Sequence, residues 1–340
     1  SLRHKTDGTI QKDLDDGIDT IGKKMTVCQL YAKQIRHRGN VRYNTKNGRK
    51  RLMKLLEEDK LGGCPIDSVK LSDAKEWAIR MKEKGISYKT ISNDKRSLKA
   101  AFYTAIQDDC IRKNPFDFQL NTVIEDDTEP KVPLTPAQEE SFLSFAQNDK
   151  VYQKYYDELI ILLGTGLRIS ELCGLTDTDI DFENRIINVD HQLLRSAETG
   201  YYIETPKTKS GIRQIPMSEK VYEAFNRVLK RRRGAKAVTI DGYSNFLFLN
   251  RDGYPKTATN YDGMFRGLAK KYNKYHEEAL PKVMTPHTLR HTFCTNMANA
   301  GMNPKALQYI MGHSNITMTL NYYAHATFDS AKAEMLRIAA

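Results

Sequence analysis

The sequence has few cysteines and no long apolar run, and both absences exclude classes of protein. Its five cysteines are odd in number, widely spaced and without a CxxC pair, at Cys28, Cys64, Cys110, Cys173 and Cys294. This pattern predicts free thiols in a reducing compartment rather than a disulfide framework. The longest apolar run, Leu159 to Leu167, is far shorter than the ~20 residues of a membrane span, and no signal-peptide pattern occurs. We therefore expect a cytoplasmic protein.

Acidic residues are outnumbered by basic ones. The chain has 53 lysines and arginines against 42 aspartates and glutamates, a net charge of +11. Such a balance favours a polyanionic partner, with nucleic acid ahead of an anionic membrane. Hydrophobic residues make up 40% of the chain and charged residues 28%, as in ordinary soluble proteins, and 340 residues suggest two domains.

Changes in composition along the chain divide it into five parts. Residues 1–24 are polar and are interpreted as an arm or the remnant of a preceding domain. Residues 25–120 have helical periodicity, with helices predicted near 26–36, 43–58, 72–84 and 88–108. Residues 121–134 are acidic, contain prolines and are predicted to be a linker. A second domain is expected at 135–327, followed by a terminal helix at 328–340 with an apolar stripe.

The second domain is predicted to be mainly helical with a small antiparallel sheet, which makes the fold class α+β. Thr135, Pro136 and Gln138 form a capping-box start, and the apolar segment 159–163 predicts a buried helix. Strand-like patterns between Arg185 and Met217 predict a three-stranded antiparallel sheet with turns at 199–200 and 210–211.

The stretch 285–325 holds the densest set of chemically useful side chains. Thr285 and Pro286 predict a helix start, and the spacing places His287, Arg290, His291 and Cys294 along one face of that helix. A second helix is predicted to end near Gly312 with a left-handed cap. Imidazole can move a proton near neutral pH, guanidinium can hold two phosphate oxygens, and a phenol can attack phosphorus.

These motifs resemble those of the tyrosine recombinase (phage integrase) family. The resemblance rests on HTLRH at 287–291, GHS at 312–314, a tyrosine two residues before His325, and Arg168 after GTGL. The sequence around these motifs is most similar to that of the integrases of conjugative transposons. It implies a helical core DNA-binding domain at 25–120 and a catalytic domain at 135–327. It also implies that the 328–340 helix docks on a neighbouring protomer.

The resemblance implies catalytic roles for particular residues. Arg168 and Arg290 correspond to the two catalytic arginines, and Glu171 to a carboxylate that orients Arg168. His287 belongs to the H-x-x-R element, and His313 corresponds to a His or Trp that bonds a phosphate oxygen. Lys209, with Lys207 as its competitor, corresponds to a lysine that protonates the departing 5′ oxygen.

Two adjacent tyrosines compete for the role of nucleophile. Tyr323 lies ten residues after His313 and two before His325, which matches the Y-x-H ending of the resembled integrases, and it is preferred. Tyr322 would give Y-x-x-H, yet its distance of nine residues from His313 also occurs in the family. Both therefore remain candidates for attack on DNA.

The motifs also have other interpretations that do not involve this chemistry. An arginine such as Arg168 commonly forms a surface ion pair. His287 and His291 are four apart, like zinc ligands, but Thr288 stands where a metalloprotease helix has glutamate. Basic side chains on a helix commonly face solvent. The basic cluster of the first domain, together with the resemblance, favours DNA contacts from Arg36, Arg38, Lys89, Thr90, Asn93, Arg96 and Lys99.

The predicted function is site-specific DNA recombination through a 3′-phosphotyrosyl intermediate and a Holliday junction. The alternatives are a type IB topoisomerase-like enzyme and a DNA-binding protein without catalysis. The expected partners are double-stranded DNA, at transposon ends and target sites, and accessory DNA-bending proteins. A homo-tetramer is expected on DNA, with a monomer or weak oligomer when free. The sequence shows no carboxylate cluster or phosphate-binding glycine loop, so neither metal nor ATP is expected.

Overall fold

The structure is a computed structural model that describes residues 22–39, 41–206, 208–232, 238–323 and 335–336. The chain divides into two compact units, Ser1–Glu129 and Pro130–Ala340. The predicted arm at 1–24 and terminal helix at 328–340 lie almost entirely outside the described residues. None of the described helices combines the length and the apolarity that a bilayer-crossing segment needs.

The described residues of the first unit contain four α-helices, close to the predicted positions. They are α1 (Val27–His37), α2 (Tyr43–Glu57), α3 (Leu71–Glu83) and α4 (Tyr88–Gln107). Thr26 and Gln29 form a capping box at the start of α1, and the Ser87 hydroxyl accepts from the Thr90 N–H at the start of α4. These local bonds explain why the sequence pattern located both helix starts.

The core of the first unit is aromatic at its centre. Trp77 of α3 and Phe102 of α4 are fully buried and both pack on Phe116, with ring centroids 5.8 and 5.3 Å apart. Each such side chain contributes about 2 kcal/mol or more when removed from water. Leu120 and Ile124 close the same core, so this unit continues into the segment predicted as a linker.

The second unit contains eight α-helices among the described residues. They are α5 (Pro136–Asn148), α6 (Tyr156–Thr165), α7 (Ile169–Gly174), α8 (Glu219–Arg232), α9 (Ala258–Tyr275), α10 (Pro286–Asn299), α11 (Pro304–Met311) and α12 (Thr317–Leu320). The apolar helix α6 is the centre of the core and packs against α8 and α10. The predicted buried helix and the predicted starts at Thr135 and Thr285 are confirmed.

The prediction of one three-stranded sheet between Arg185 and Met217 was wrong. The part of the chain that the structure describes contains five strands: β1 (Ile180–Asp181), β2 (Ile186–Val189), β3 (Gln192–Ser196), β4 (Gly200–Glu204) and β5 (Arg213–Pro216). They form two antiparallel sheets, one in the order β1-β2-β5 and one of β3 and β4. In the first sheet Ile187 pairs with Ile215, and in the second Leu194 pairs with Tyr202.

The break between the two sheets occurs at His191, between β2 and β3. Its ring is buried, with Nε2 2.8 Å from the Gly174 carbonyl and Nδ1 2.6 Å from the Asp190 carboxylate. A side chain at Gly174 would meet the Leu193 nitrogen at 3.0 Å, so α7 and β3 approach closely at this glycine. The ribbon of β3 and β4 therefore packs on α7 instead of extending the first sheet.

Candidate active site

Arg168 is positioned by the turn between α6 and α7. Gly166 ends α6 in the left-handed conformation, with a φ of 64°, and Arg168 is the N-cap of α7. The Arg168 backbone N–H donates to Glu171 Oε2 at 2.9 Å, and its Nη1 donates to Oε1 at 2.6 Å. Its Nη2 donates to the Gly312 carbonyl at 3.0 Å. The side chain of Arg168 nevertheless stays 38% exposed, so it can reach a ligand.

Glu171 is the buried carboxylate of this site. Its side chain is only 3% exposed, and burial alone would raise its pKa. The hydrogen bonds and charge of Arg213, followed by the charges of Arg168 and Arg290, outweigh that effect and lower the pKa to about 2. Glu171 is therefore ionised at neutral pH and holds Arg168 in one orientation.

Arg290 lies on α10, behind Arg168. It is 3% exposed, its Nη1 donates to the Gly166 carbonyl at 2.5 Å, and its Nη2 donates to the Met311 carbonyl. Burial and then the charge of Arg168 lower its pKa to about 9. The guanidinium thus remains charged at neutral pH, and two carbonyls fix its plane.

His313 follows the end of α11, which Gly312 caps with a φ of 61° as predicted. The ring is buried, and its Nδ1 lies 3.0 Å from the Thr319 hydroxyl. Burial first, and then the charges of Arg290, Arg168 and Arg213, lower its pKa to about 4. A neutral imidazole is therefore held beside the arginines, with Nε2 as the nitrogen left to meet a ligand.

His287 lies one turn before Arg290 on α10. Part of its ring faces solvent. Desolvation of the rest, and then the charges of Lys131 and Arg290, lower its pKa to about 4. The neutral ring can accept a proton, which is the chemistry predicted for it.

Among the described residues, His287 and His291 do not belong to a group of three or more side chains with metal-ligand geometry. The His291 ring packs against Tyr322, with centroids 4.8 Å apart. The one such group in the described part of the chain is formed by Asp179, Asp190 and His191. Both nitrogens of His191 already face oxygen atoms, and Asp179 accepts from Thr176. That group is accounted for by its internal hydrogen bonds.

The two tyrosines lie just after α12 and differ in their surroundings. The Tyr323 hydroxyl donates to the Met302 carbonyl at 2.5 Å. The Tyr322 ring packs on His291. Burial and then Cys294 raise the pKa of both phenols, but the Arg290 charge acts in the opposite direction on Tyr322. Of the two tyrosines, Tyr322 is thus the one on which the Arg290 charge acts. His325 lies outside the described residues.

Lys209 begins a short 3₁₀ turn, Lys209–Gly211, ahead of β5. The turn connects strands of the two different sheets rather than two paired strands. Lys209 itself is exposed, so its ammonium is available to a ligand. Its competitor Lys207 lies outside the described residues.

Sequence reasoning missed Arg213, which starts β5. Its side chain is fully buried and donates to both oxygens of Glu171, at 3.1 and 2.8 Å. The alternating strand pattern could have identified it. Side chains of a strand point to opposite faces in turn, so Arg213 lies on the same inward face as Ile215, with Gln214 on the other. A charged residue at such a position needs a buried partner.

The candidate DNA-binding residues lie on the first unit, on two helices. Arg36 is exposed near the end of α1, and Arg38 is exposed directly after it. On α4, Lys89, Asn93 and Arg96 are exposed at positions four and three apart. They therefore form one stripe, beside the half-buried Thr90 and Lys99. Lys99 Nζ pairs with Asp117 at 2.5 Å, which occupies part of its charge.

Three guanidinium groups surround one carboxylate in the second unit, so the cluster carries a net charge of +2 when both histidines are neutral. Hydrogen bonds join Glu171 directly to Arg168 and Arg213. The charge of Arg290 acts on Glu171, and the charges of all three arginines act on His313. A buried, preorganised and positively charged cluster is suited to bind a phosphate and to stabilise charge that develops on it.

Comparisons with known proteins agree with this chemistry. The model of the Phage integrase family matches residues 133–330. The transposase from transposon Tn916 of Enterococcus faecalis is 68% identical over 338 residues, which cover 99% of this chain and 83% of that protein. The lambda integrase dimer bound to a COC′ core site, at 16% identity and a TM-score of 0.57, shares the fold over 86% of this chain and 92% of that one.

Solved structures of the Tn1549 transposon integrase are also similar. One, in complex with a circular intermediate DNA, has a TM-score of 0.88 and 78% identity, over 92% of this chain and 99% of that one. Another, with transposon right end DNA, has a TM-score of 0.87 and 78% identity, over 93% and 100%. The first carries an arginine-to-lysine change and the second a tyrosine-to-phenylalanine change, at positions 154 residues apart. The predicted fold class is confirmed.

Proposed function

The chain belongs to the phage integrase family and is a tyrosine recombinase. From that premise we propose that it cuts and rejoins double-stranded DNA at transposon ends and target sites. The Tn1549 integrase structures contain circular intermediate DNA and transposon right end DNA, and this chain is 78% identical to that protein. In the bacterial cytoplasm such DNA is the expected partner.

The observation that carries the proposal is the charge and rigidity of the cluster around Glu171. Arg168 is fixed by Glu171 and the Gly312 carbonyl, and Arg290 by the Gly166 and Met311 carbonyls. Preorganised donors cost no reorganisation when charge develops, and loss of one donor typically costs about 10²–10³ in rate. Arg168, Arg290 and His313 Nε2 would hold the non-bridging oxygens of the scissile phosphate.

The reaction transfers a phosphoryl group without net hydrolysis. The tyrosine oxygen bonds to phosphorus, the bond from phosphorus to the 5′ oxygen breaks, and a 3′-phosphotyrosyl link remains. A free phenol has a pKa of about 10, so His287, neutral at pH 7, would accept its proton. Lys209 would donate a proton to the departing 5′ oxygen. The 5′ hydroxyl of a partner strand then displaces the tyrosine, which produces a Holliday junction.

Tyr322, rather than the Tyr323 preferred from the sequence, is the nucleophile in this proposal. The Tyr323 hydroxyl is occupied by the Met302 carbonyl, whereas the Tyr322 phenol is within the influence of Arg290. The spacing in the Tn1549 integrase supports the same choice. Its two substituted positions are 154 residues apart, as Arg168 and Tyr322 are here, whereas Tyr323 is 155 from Arg168.

The first unit would grip the DNA as a core-binding domain at 25–120, with the linker at 121–134 leading to the catalytic domain at 135–327. Its phosphate contacts would come from Arg36, Arg38, Lys89, Thr90, Asn93, Arg96 and Lys99.

The protein, a monomer or weak oligomer when free, would assemble as four copies on two DNA sites. The 328–340 helix would dock on a neighbouring protomer, and accessory proteins would bend the DNA. Gel filtration with light scattering, with and without DNA, tests the assembly, and a complex that never exceeds two copies would contradict it.

The experiment is a suicide-substrate assay. A nicked duplex that carries a transposon end loses a short 5′ fragment on cleavage, so the covalent adduct accumulates and can be mapped by peptide mass. We expect Tyr322→Phe to abolish the SDS-resistant adduct. Tyr323→Phe should keep it within about tenfold, because that change removes only a positioning hydrogen bond. Tyr275→Phe, at a tyrosine that is 64% exposed, serves as the control.

Each outcome has one meaning. An adduct mapped to Tyr322 supports the assignment. An adduct that persists in Tyr322→Phe and vanishes in Tyr323→Phe would return the role to Tyr323. Tight DNA binding without an adduct in any variant would contradict the phosphotyrosyl chemistry.

A further inference from the structure

Arg213 is a buried arginine of the proposed active site that contacts two distant segments and the turn directly before its own strand. Its side chain is 0% exposed. Its Nε donates to the Ile310 carbonyl at 2.6 Å, and its Nη1 donates to the Gly211 carbonyl at 3.0 Å. The two Nη atoms also donate to Glu171. Four of the five N–H donors of the guanidinium are therefore used, all inside the protein.

Each residue that Arg213 contacts lies next to, or binds, a residue with a role in the proposed reaction. Glu171 holds Arg168. Ile310 lies near the end of α11, just before the Gly312 cap and His313. Gly211 closes the 3₁₀ turn that begins with Lys209. One guanidinium thus connects the phosphate-binding groups to the turn that carries the proposed proton donor.

The turn at Lys209 also touches the turn at His313 directly. A side chain at Gly312 would meet the Ser210 carbonyl oxygen at 3.0 Å and Arg213 Nη1 at 3.1 Å. The backbone of the Lys209 turn, Arg213 and the α11 cap are therefore in close contact. On the outer side of the turn, a Cβ at Gly211 would lie 2.3 Å from the Pro206 Cβ, so Pro206 confines the turn there.

We propose that Arg213 is a positioning residue that holds the Lys209 turn against the phosphate-binding groups, so that Lys209 can protonate the leaving 5′ oxygen. The inference rests on the proposed role of Lys209. A long, exposed lysine gains little precision from its own side chain, so the backbone beneath it must be fixed. Arg213 supplies that fixation through the Gly211 carbonyl, with a charge-assisted anchor on Glu171.

The test compares two leaving groups. One nicked substrate has the normal 5′ oxygen at the scissile phosphate, and the other has sulfur in its place. In the second, the tyrosine oxygen bonds to phosphorus and the phosphorus–sulfur bond breaks. A thiolate leaves without needing a proton, so only leaving-group protonation is bypassed.

Arg213→Lys keeps a positive charge beside Glu171 but cannot reach Gly211, Ile310 and Glu171 together. We expect it to cleave the oxygen substrate about 10–100-fold more slowly, since a misplacement of about 1 Å can cost 10²-fold. On the sulfur substrate it should come within about threefold of the unmodified protein. Equal slowing on both substrates, or no slowing on either, would overturn the proposal.

Two further variants separate the possible failures. Lys209→Ala should show the same selective loss, and if it is slow on both substrates the proposed role of Lys209 fails independently of Arg213. Lys256→Met breaks a partly buried ion pair of this unit, with Glu158 at 2.5 Å, and should be equally active on both substrates.

Gly211→Ala provides the test if Arg213→Lys does not fold, as judged by thermal unfolding. It pushes the same turn away from Pro206 without removing the bonds from Arg213 to Glu171. We expect a selective loss on the oxygen substrate again. If its losses on the two substrates are equal, the position of the turn does not govern leaving-group protonation and the inference fails.

Discussion

Glu171 carries one negative charge among three guanidinium groups, and that imbalance governs the behaviour of single side chains in the site. Its two oxygens accept from Arg213 and from Arg168. The remaining positive charge acts on the neighbouring imidazoles and lowers the pKa of His313, already depressed by burial, to about 4. The free protein therefore holds a neutral imidazole among cations, a state that a bound phosphate would relieve.

We expect His313 to make stability depend on pH. An unfolded histidine has a pKa of about 6.5, so between pH 6.5 and about 4 the unfolded chain binds a proton that the native protein does not. The contribution of His313 to the free energy of unfolding is therefore at its full value above pH 6.5. It declines as the pH falls from 6.5 to about 4, by at most about 3 kcal/mol.

Urea unfolding of the unmodified protein and of His313→Gln at pH 7.5, 6 and 5 measures this effect. Glutamine has no proton to gain in that range, so its unfolding free energy should fall less with acidification. The difference between the two proteins isolates His313 from the other titrating groups. If the two proteins lose stability in parallel, His313 is not the group responsible.

At the level of elements, the site is built where helices end. α6 ends at Gly166 and α11 at Gly312, both in the left-handed conformation. The carbonyl of Gly166 accepts from Arg290, and that of Gly312 accepts from Arg168. The unsatisfied carbonyls of two helix ends thus serve to orient the two proposed catalytic guanidinium groups.

Gly312→Ala should lower both stability and cleavage. The left-handed φ of 61° costs an alanine about 1 kcal/mol, and its Cβ would lie 3.0 Å from the Ser210 carbonyl oxygen. Because the Gly312 carbonyl orients Arg168, we expect cleavage to fall at least about tenfold.

Gly253→Ala is the matched control, since its φ of 82° imposes a similar strain while its surroundings are open. It should lose about 1 kcal/mol of stability and retain cleavage. Thermal unfolding and the adduct assay measure both quantities. Equal cleavage losses in the two variants would show that strain, and not the position of the Gly312 carbonyl, is responsible.

Over the whole molecule, positive charge is distributed between both units. Residues 1–129 contain 26 lysines and arginines against 20 acidic residues, and residues 130–340 contain 27 against 22, net charges of +6 and +5. Neither unit alone accounts for the basic character of the protein. Both are therefore expected to contribute to the attraction of DNA.

We expect the double variant Lys89→Ala, Arg96→Ala to weaken DNA binding and its dependence on salt. Each lost phosphate contact lowers the slope of log affinity against log salt by about one, so a reduction of about two is expected. Fluorescence anisotropy across a salt series measures the slope. The double variant Lys24→Ala, Lys54→Ala removes the same charge from lysines that are 68% and 77% exposed, and it should leave the slope nearly unchanged. Equal slopes for the two double variants would show that the α4 stripe does not contact DNA phosphates.

The sequence by itself determined the local features of this protein. Helix starts such as Thr135 and Thr285, the Gly312 cap and the buried segment 159–163 were predicted correctly, because caps and periodicity depend on neighbours within a few residues. The resemblance to the family also singled out Arg168 and Glu171, which are three residues apart and form the pair that it implies.

Only the tertiary structure decided the features that depend on distant contacts. Strand pairing depends on where His191 meets Gly174, which a strand pattern does not contain. The same is true of Arg213, whose partners Glu171 and Ile310 are 42 and 97 residues away. The two adjacent tyrosines have nearly the same sequence context, and they differ because Met302 binds one hydroxyl while Arg290 acts on the other phenol. Local periodicity gives the faces of helices and strands, whereas their buried partners are fixed only when distant segments pack together.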